Sequence, residues 1–282
     1  MNRRLTILCD NSVGPLAGTI GEHGFAALIE AADGTAMLFD TGQGFALLHN
    51  ARTMGKDLAR AEKVVISHGH YDHAGGLLPL LQEYGPREIF ADEGIFCQRH
   101  RVKDSGEHYP IGIPHARPVY EQAGAAFNFS AEFRQIAPGI YLTGRVPRVT
   151  PFETGDAGIF CDAAGQVVDV TPDDQSLVLD TVRGLVVLLG CCHAGLVNTL
   201  EQITRQTGRR DFYAVIGGTH LGFCSREQFE GTIAAIRRLG IRKLAVSHCT
   251  GFAAAMRLAR EMPREFQNAM VGYTLEMETV TR

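Results

Sequence analysis

The stretch Ser67-His68-Gly69-His70-Tyr71-Asp72-His73-Ala74-Gly75-Gly76 constrains this chain more than any other part of it. Three histidines and one aspartate fall between positions 68 and 73, behind the apolar run Val64-Val65-Ile66 and ahead of the helical-looking Leu77 to Tyr84. The pattern reads as a strand ending near Ser67, a tight turn, and a helix beginning near His73. On such a turn His68 and His70 converge on one metal ion while Asp72 and His73 face a second. Imidazole nitrogen and carboxylate oxygen suit zinc, iron or manganese. Without a cation, these crowded polar side chains at the end of a buried strand would each need another partner.

Bulk properties narrow the function class. With 45% hydrophobic and 21% charged residues over 282 positions, the chain has the composition of a soluble globular α/β protein. Its net charge is −4 with no Lys/Arg block, so no nucleic-acid surface is expected. Apolar runs such as Leu185 to Leu189 are strand length, far short of a membrane span. The start, Met1 to Arg4 followed by Leu5 to Cys9, is too short for a signal peptide and is interrupted by Asp10-Asn11. Seven cysteines without a CxxC pair fit reduced thiols and a cytoplasmic setting. A small-molecule substrate is the expected partner, and no oligomeric state is specified.

Read in order, Leu5 to Cys9 forms a first strand, and Phe25 to Glu30 and Thr35 to Phe39 form a hairpin through Asp33-Gly34. A helix at Phe45 to Met54 leads to the strand at Val64. Residues 92–153 hold six of the eleven prolines and read as a loop-rich elaboration of a single domain spanning 1–282, placed to act as a lid or substrate wall. Short strands are expected within it at Phe127 to Phe129, Arg134 to Ile136 and Ile140 to Thr143. Strands follow at Gln166 to Val170, Ser176 to Thr181, Gly184 to Leu189, Phe212 to Ile216 and Lys243 to Ser247. Helices are expected at Leu196 to Gln206, Arg226 to Leu239 and Ala253 to Arg260, with a last strand at Tyr273 to Glu278. His193, His220 and His248 each sit where an apolar strand runs out, the place where α/β sheets gather ligands. His248 and His193 are the better metal candidates; His220 is closer to a substrate contact.

The histidine turn resembles the HxHxDH signature of the metallo-β-lactamase superfamily, and Leu38-Phe39-Asp40-Thr41-Gly42 is similar to its first motif, whose aspartate supports that turn. The resemblance implies a four-layer αβ/βα sandwich of two mixed sheets with one or two divalent ions at a sheet edge, with zinc expected ahead of iron or manganese. Ser247-His248 matches the last ligand of the pattern. Glu22-His23-Gly24, Gly144-Arg145-Val146-Pro147-Arg148, Asp173-Asp174-Gln175-Ser176-Leu177, Gly190 to Gly195, Gly217 to Leu221 and His248 to Gly251 also resemble a subgroup that includes dihydropterin–ribofuranosyl-aminobenzene-phosphate synthases. The chain departs from the superfamily pattern in two places. Pro172 to Ser176 stands where a third histidine is usual, and Gly190-Cys191-Cys192-His193 where a metal-bridging aspartate is usual. His193 then supplies an imidazole, and Cys191 is a candidate thiolate ligand.

Metal ligands are therefore expected among His68, His70, Asp72, His73, His193, His248 and Cys191. The leading expectation is hydrolysis, in which metal-bound hydroxide attacks an ester, lactone or phosphoester. Asp72 would orient the water, and His193 or His220 would serve the leaving oxygen. A second reading is a transferase: condensation of a dihydropterin diphosphate with an aminobenzene ribotide, with Arg145 or Arg148 holding phosphate. A third is a metal-containing sensor with little turnover. His23 is a weaker substrate-contact candidate.

Overall fold

The computed structural model describes residues 1–103, 105–155 and 158–280. The chain opens with β1 (Asn2–Cys9), β2 (Ala26–Ala31) and β3 (Ala36–Phe39), followed by α1 (Leu47–Thr53), β4 (Lys63–Val65), α2 (Tyr71–Ala74), α3 (Leu77–Tyr84) and β5 (Arg87–Ala91). The hairpin β6 (His100–Val102) and β7 (His108–Pro110) leads to α4 (Arg117–Gln122), β8 (Ala125–Phe129), β9 (Arg134–Ala137), β10 (Ile140–Leu142) and β11 (Ile159–Phe160). The rest comprises β12 (Leu177–Thr181), β13 (Gly184–Leu189), α5 (Leu196–Thr207), β14 (Phe212–Gly218), α6 (Arg226–Leu239), β15 (Lys243–Ser247), α7 (Phe252–Glu261), β16 (Phe266–Asn268) and β17 (Thr274–Glu278).

These strands form two seven-stranded sheets, β17-β1-β2-β3-β4-β5-β8 and β16-β15-β14-β13-β12-β10-β9. Each is antiparallel at one end and parallel at the other, the parallel part running through β3-β4-β5-β8 in the first sheet and β13-β14-β15-β16 in the second. Alternation along the strands sorts residues into layers. Leu5, Ile7, Phe39 and Val65 of the first sheet meet Leu177, Leu179, Val186 and Ile216 of the second in a central core. The intervening Leu8, Leu28, Leu38 and Val64 face Leu47, Leu77 and Leu81 of α1 and α3. Val187, Leu189, Val215 and Val246 face Leu200, Ile233 and Leu258 of α5, α6 and α7. The result is the αβ/βα sandwich of two mixed sheets that the sequence implied.

The loop-rich segment is less of an excursion than its proline content suggests. β8 forms one edge of the first sheet, and β9 and β10 form an edge of the second. What stands apart is a small sheet, β11-β6-β7, tied to the histidine turn by the His70–Gly112 bridge and by a 3.0 Å hydrogen bond from Tyr71 N–H to the Ile111 carbonyl. Gln166 to Val170 forms no strand and contributes only the isolated bridge Phe160–Val168. The backbone N–H groups of Gln166 and Val167 are taken by the Asp162 carboxylate instead of a ladder partner.

Candidate metal centre

The histidine turn leaves β4 and is organised by Asp40, which follows β3 with φ of 57°. Asp40 Oδ1 accepts the Ser67 N–H at 2.7 Å, and Oδ2 accepts the Ser67 hydroxyl at 2.7 Å and His73 Nδ1–H at 2.7 Å. Because the Ser67 proton is spent on Asp40, Ser67 Oγ accepts from His68 Nδ1, 2.9 Å away. Both imidazoles are thereby fixed with Nδ1 protonated and Nε2 bearing a lone pair.

The same logic fixes His248. Asn11 Oδ1 accepts the Gly24 N–H at 3.3 Å and His248 Nδ1–H at 2.8 Å, which leaves His248 Nε2 as an acceptor. It lies 3.2 Å from His73 Nε2 and 3.3 Å from Asp72 Oδ2. Three acceptors thus converge with no proton assigned between them, an arrangement that calls for positive charge. Burial lowers the His73 pKa, yet Asp40 and Asp72 outweigh it and push it up to about 9; a proton on His73 meets in part the demand that a divalent ion would meet fully. Burial alone would raise Asp72, but His73, His23 and His248 hold it well below the usual carboxylate range. His23, whose Nδ1 faces the Asn11 amide at 3.1 Å, donates from Nε2 to Asp72 Oδ2 at 3.2 Å.

A second cluster lies alongside. His68 Nε2 is 2.9 Å from His70 Nδ1, and the buried His70 Nε2 and His193 Nε2 have no hydrogen-bond partner. Burial, followed by the neighbouring histidines, keeps His68 well below its ordinary pKa and so neutral. Burial likewise depresses His70 and His193. Donor atoms of His68, His70 and His193 lie within 4.8 Å of one another, as do those of His23, Asp72 and His248. Cys191 groups with His68 and His73, with His193 and His220, and with His248 and Cys249, and so sits between the clusters. Its Sγ is 3.2 Å from His73 Nε2. Burial and then Cys249 push the Cys191 thiol well above its ordinary pKa, an order that a coordinated cation reverses. Neutral imidazoles, a carboxylate and a thiol suit one or two borderline-soft divalent ions.

Pro172 to Ser176, where the family pattern has a histidine, supports the turn from beneath. Asp173 Oδ2 accepts the Gly69 N–H at 2.8 Å, while the fully buried Arg99 grips Asp173 through both guanidinium NH₂ groups and donates from Nε to Asp169. A Cβ on Gly69 would lie 2.1 Å from the Ile95 carbonyl oxygen, so only glycine lets the turn pass this close. Asp174 accepts the Ala194 N–H at 3.0 Å and steadies the turn that carries His193.

The donors open into a cavity of about 260 Å³ lined also by Tyr71, Arg101, Tyr109, Ile111, Ile159 and Phe223. His23 and His220 line it as well. Arg145 and Arg148 do not: Arg145 pairs with Asp92 at 2.7 and 2.9 Å, Arg148 donates to the Val170 carbonyl, and both border a different cavity. His49, His100, His108 and His115 also lie outside the cavity that these donors line. Cys249 is a neighbour of Cys191 and His248; its place directly after His248 at a strand end was the available signal. Arg101 and Tyr109 carried no signal because they lie on strands of three residues, too short to show a pattern, and Phe223 reaches the cavity from the loop after β14.

This chain belongs to the metallo-β-lactamase superfamily, whose family model matches residues 20–194. A relative from Methanocaldococcus jannaschii, 7,8-dihydropterin-6-methyl-4-(β-D-ribofuranosyl)-aminobenzene-5′-phosphate synthase, is 27% identical over 280 residues, covering 96% of this chain and 95% of its own. A second protein of that organism, uncharacterized, is 27% identical over 257 residues, 91% of this chain and 94% of its own. The crystal structure of a metal-dependent hydrolase of the β-lactamase superfamily matches with a TM-score of 0.83 and 30% identity, covering 99% of this chain and 100% of that one.

Proposed function

We propose that the protein is a metal-dependent hydrolase acting on an ester, lactone or phosphoester bond. The observation that carries this reading is the convergence of His73 Nε2, His248 Nε2 and Asp72 Oδ2 within 3.2 to 3.9 Å, with the tautomers of both histidines fixed from behind. His68, His70 and His193 in one cluster and Asp72, His73 and His248 in the other, with Cys191 between them, would hold one or two divalent ions, which would supply Lewis acidity and acidify water when bound. Asp72 stays ionised and accepts a hydrogen bond from the attacking water, fixing its direction. His23, donating to Asp72, holds that carboxylate in place. His193 and His220, whose rings lie 4.3 Å apart and which both line the cavity, stabilise the leaving oxygen. Likeness to a metal-dependent hydrolase at 30% identity over the full chain supports the reading.

A transferase reading is favoured by one observation, the near full-length similarity to the M. jannaschii synthase. Incubation with a dihydropterin diphosphate and an aminobenzene ribotide separates the two: a condensed product supports transfer, purely hydrolytic products support hydrolysis. For the metal itself, a His68→Ala/His70→Ala double variant is expected to lose bound metal by elemental analysis together with turnover of an ester and phosphoester panel. A metal-depleted double variant with wild-type turnover would sink the proposal.

A further inference from the structure

Part of the wall of the cavity that the candidate donors line comes from the small sheet and from the loop after β14. Arg101 on β6 and Tyr109 on β7 are register partners, so their side chains share one face of the hairpin, and both line that cavity. Their neighbours His100 and Pro110 line instead an adjoining cavity of about 680 Å³. The hairpin is therefore a partition, and strand alternation places its arginine on the side of the candidate donors. Arg101 is the one arginine or lysine among the described residues lining that cavity.

Its guanidinium lies 5.5 Å from the ring centroid of Phe223, within cation–π range. Phe223 is 58% exposed and lines the cavity. From the metal donors outward, the rings of His193, His220 and Phe223 follow one another at 4.3 and 5.0 Å, with Arg101 at the outer end. The Tyr71–Ile111 hydrogen bond and the His70–Gly112 bridge tie the chain just beyond β7 to the histidine turn, so the spacing of Arg101 from the metal donors is set by backbone contacts.

Building on the hydrolase reading, we propose that Arg101, oriented by Phe223, is the specificity-determining contact for a substrate anion, and that the site selects phosphate esters over neutral esters. A planar guanidinium fork matches two phosphate oxygens. Arg145 and Arg148, the arginines that sequence motifs single out for phosphate, face elsewhere.

The test compares zinc-loaded wild type, Arg101→Ala and Arg101→Lys on bis(4-nitrophenyl) phosphate and 4-nitrophenyl acetate, which share a leaving group. The phosphate-to-acetate ratio of kcat/KM is expected to fall about tenfold to hundredfold in Arg101→Ala, chiefly through KM for the phosphate, with partial recovery in Arg101→Lys. A smaller fall in the same direction is expected in Phe223→Ala. A ratio unchanged within about twofold overturns the proposal. Calorimetric binding of phenylphosphonate to the same zinc-loaded proteins reads Arg101 without turnover: weaker binding in Arg101→Ala supports the anion contact even if neither ester is cleaved, and equal binding overturns it. If Arg101→Ala fails to fold, Arg101→Gln, which keeps the aliphatic stem beside Phe223, gives the same comparisons. Failure of all hydrolysis thus counts against the hydrolase reading alone.

Discussion

Asp40 decides which nitrogen of His73 carries the proton. Its Oδ2 accepts from both Ser67 Oγ and His73 Nδ1, so His73 Nε2 is left free to meet a cation. An Asp40→Asn substitution keeps the shape, and its Oδ1 can still take the Ser67 N–H, but a donor then replaces Oδ2. His73 Nδ1 would have to accept, moving the proton to Nε2 and removing a ligand lone pair. Metal affinity is expected to fall roughly 10–100-fold, measured by competition with a chromophoric chelator; unchanged affinity would show that the tautomer is fixed some other way. At this scale the sequence was informative where candidate donors are adjacent, as in His68 to His73. It was silent on Asn11, which orients His248 from a loop 237 positions away. A hydrogen bond of that span leaves no spacing to read.

Segments that look irregular in sequence anchor the centre. Arg99, just before β6, is completely buried between Asp169 and Asp173, and Asp173 in turn holds the Gly69 N–H. Burial raises the Asp173 pKa and Arg99 opposes the rise. Arg99→Ala would leave carboxylates buried without their cation and is expected to destabilise the fold by about 3–5 kcal/mol in urea unfolding at neutral pH. With Arg99 gone, burial of Asp173 is opposed only by backbone hydrogen bonds such as that from Gly69, and its folded-state pKa lies further above the unfolded value. The folded state then binds the extra proton, so the deficit should shrink toward pH ~4 and widen as pH rises. A deficit that is small, or that does not change with pH, would show that water replaces the guanidinium. The short strands β8, β9 and β10 were legible in the proline-rich segment, but their place as edges of the two large sheets was not, because strands of three to five residues carry no mark of the sheet they join. Gln166 to Val170 failed in the opposite sense: its valines look like a strand, but Asp162 takes the backbone donors and Val167 and Val168 remain exposed.

Over the whole molecule, the candidate donors come from both sheets. His68, His70, Asp72 and His73 follow β4 in the first, and Cys191, His193 and His248 follow β13 and β15 in the second. An ion held across that seam cross-links the two halves, and binding only the folded form stabilises it by ~2.7 kcal/mol at a hundredfold excess over Kd. Chelation with dipicolinate is accordingly expected to lower Tm in differential scanning calorimetry and zinc to restore it; a Tm indifferent to both would argue that the halves are held by the central core alone. Among the described residues no helix is long and apolar enough to cross a membrane. The sequence by itself determined the histidine turn, the two runs of alternating strands and helices, and the strand ends at His193, His220 and His248, because these depend on local periodicity and close spacing. Only the tertiary structure decided which nitrogens are free, that Cys191 lies between the two clusters, that Arg145 and Arg148 face away, and that Arg101 and Phe223 face the cavity. Those outcomes depend on which side chains two packed sheets bring within a few ångströms of one another, and contacts between residues far apart in the chain have no local pattern to announce them.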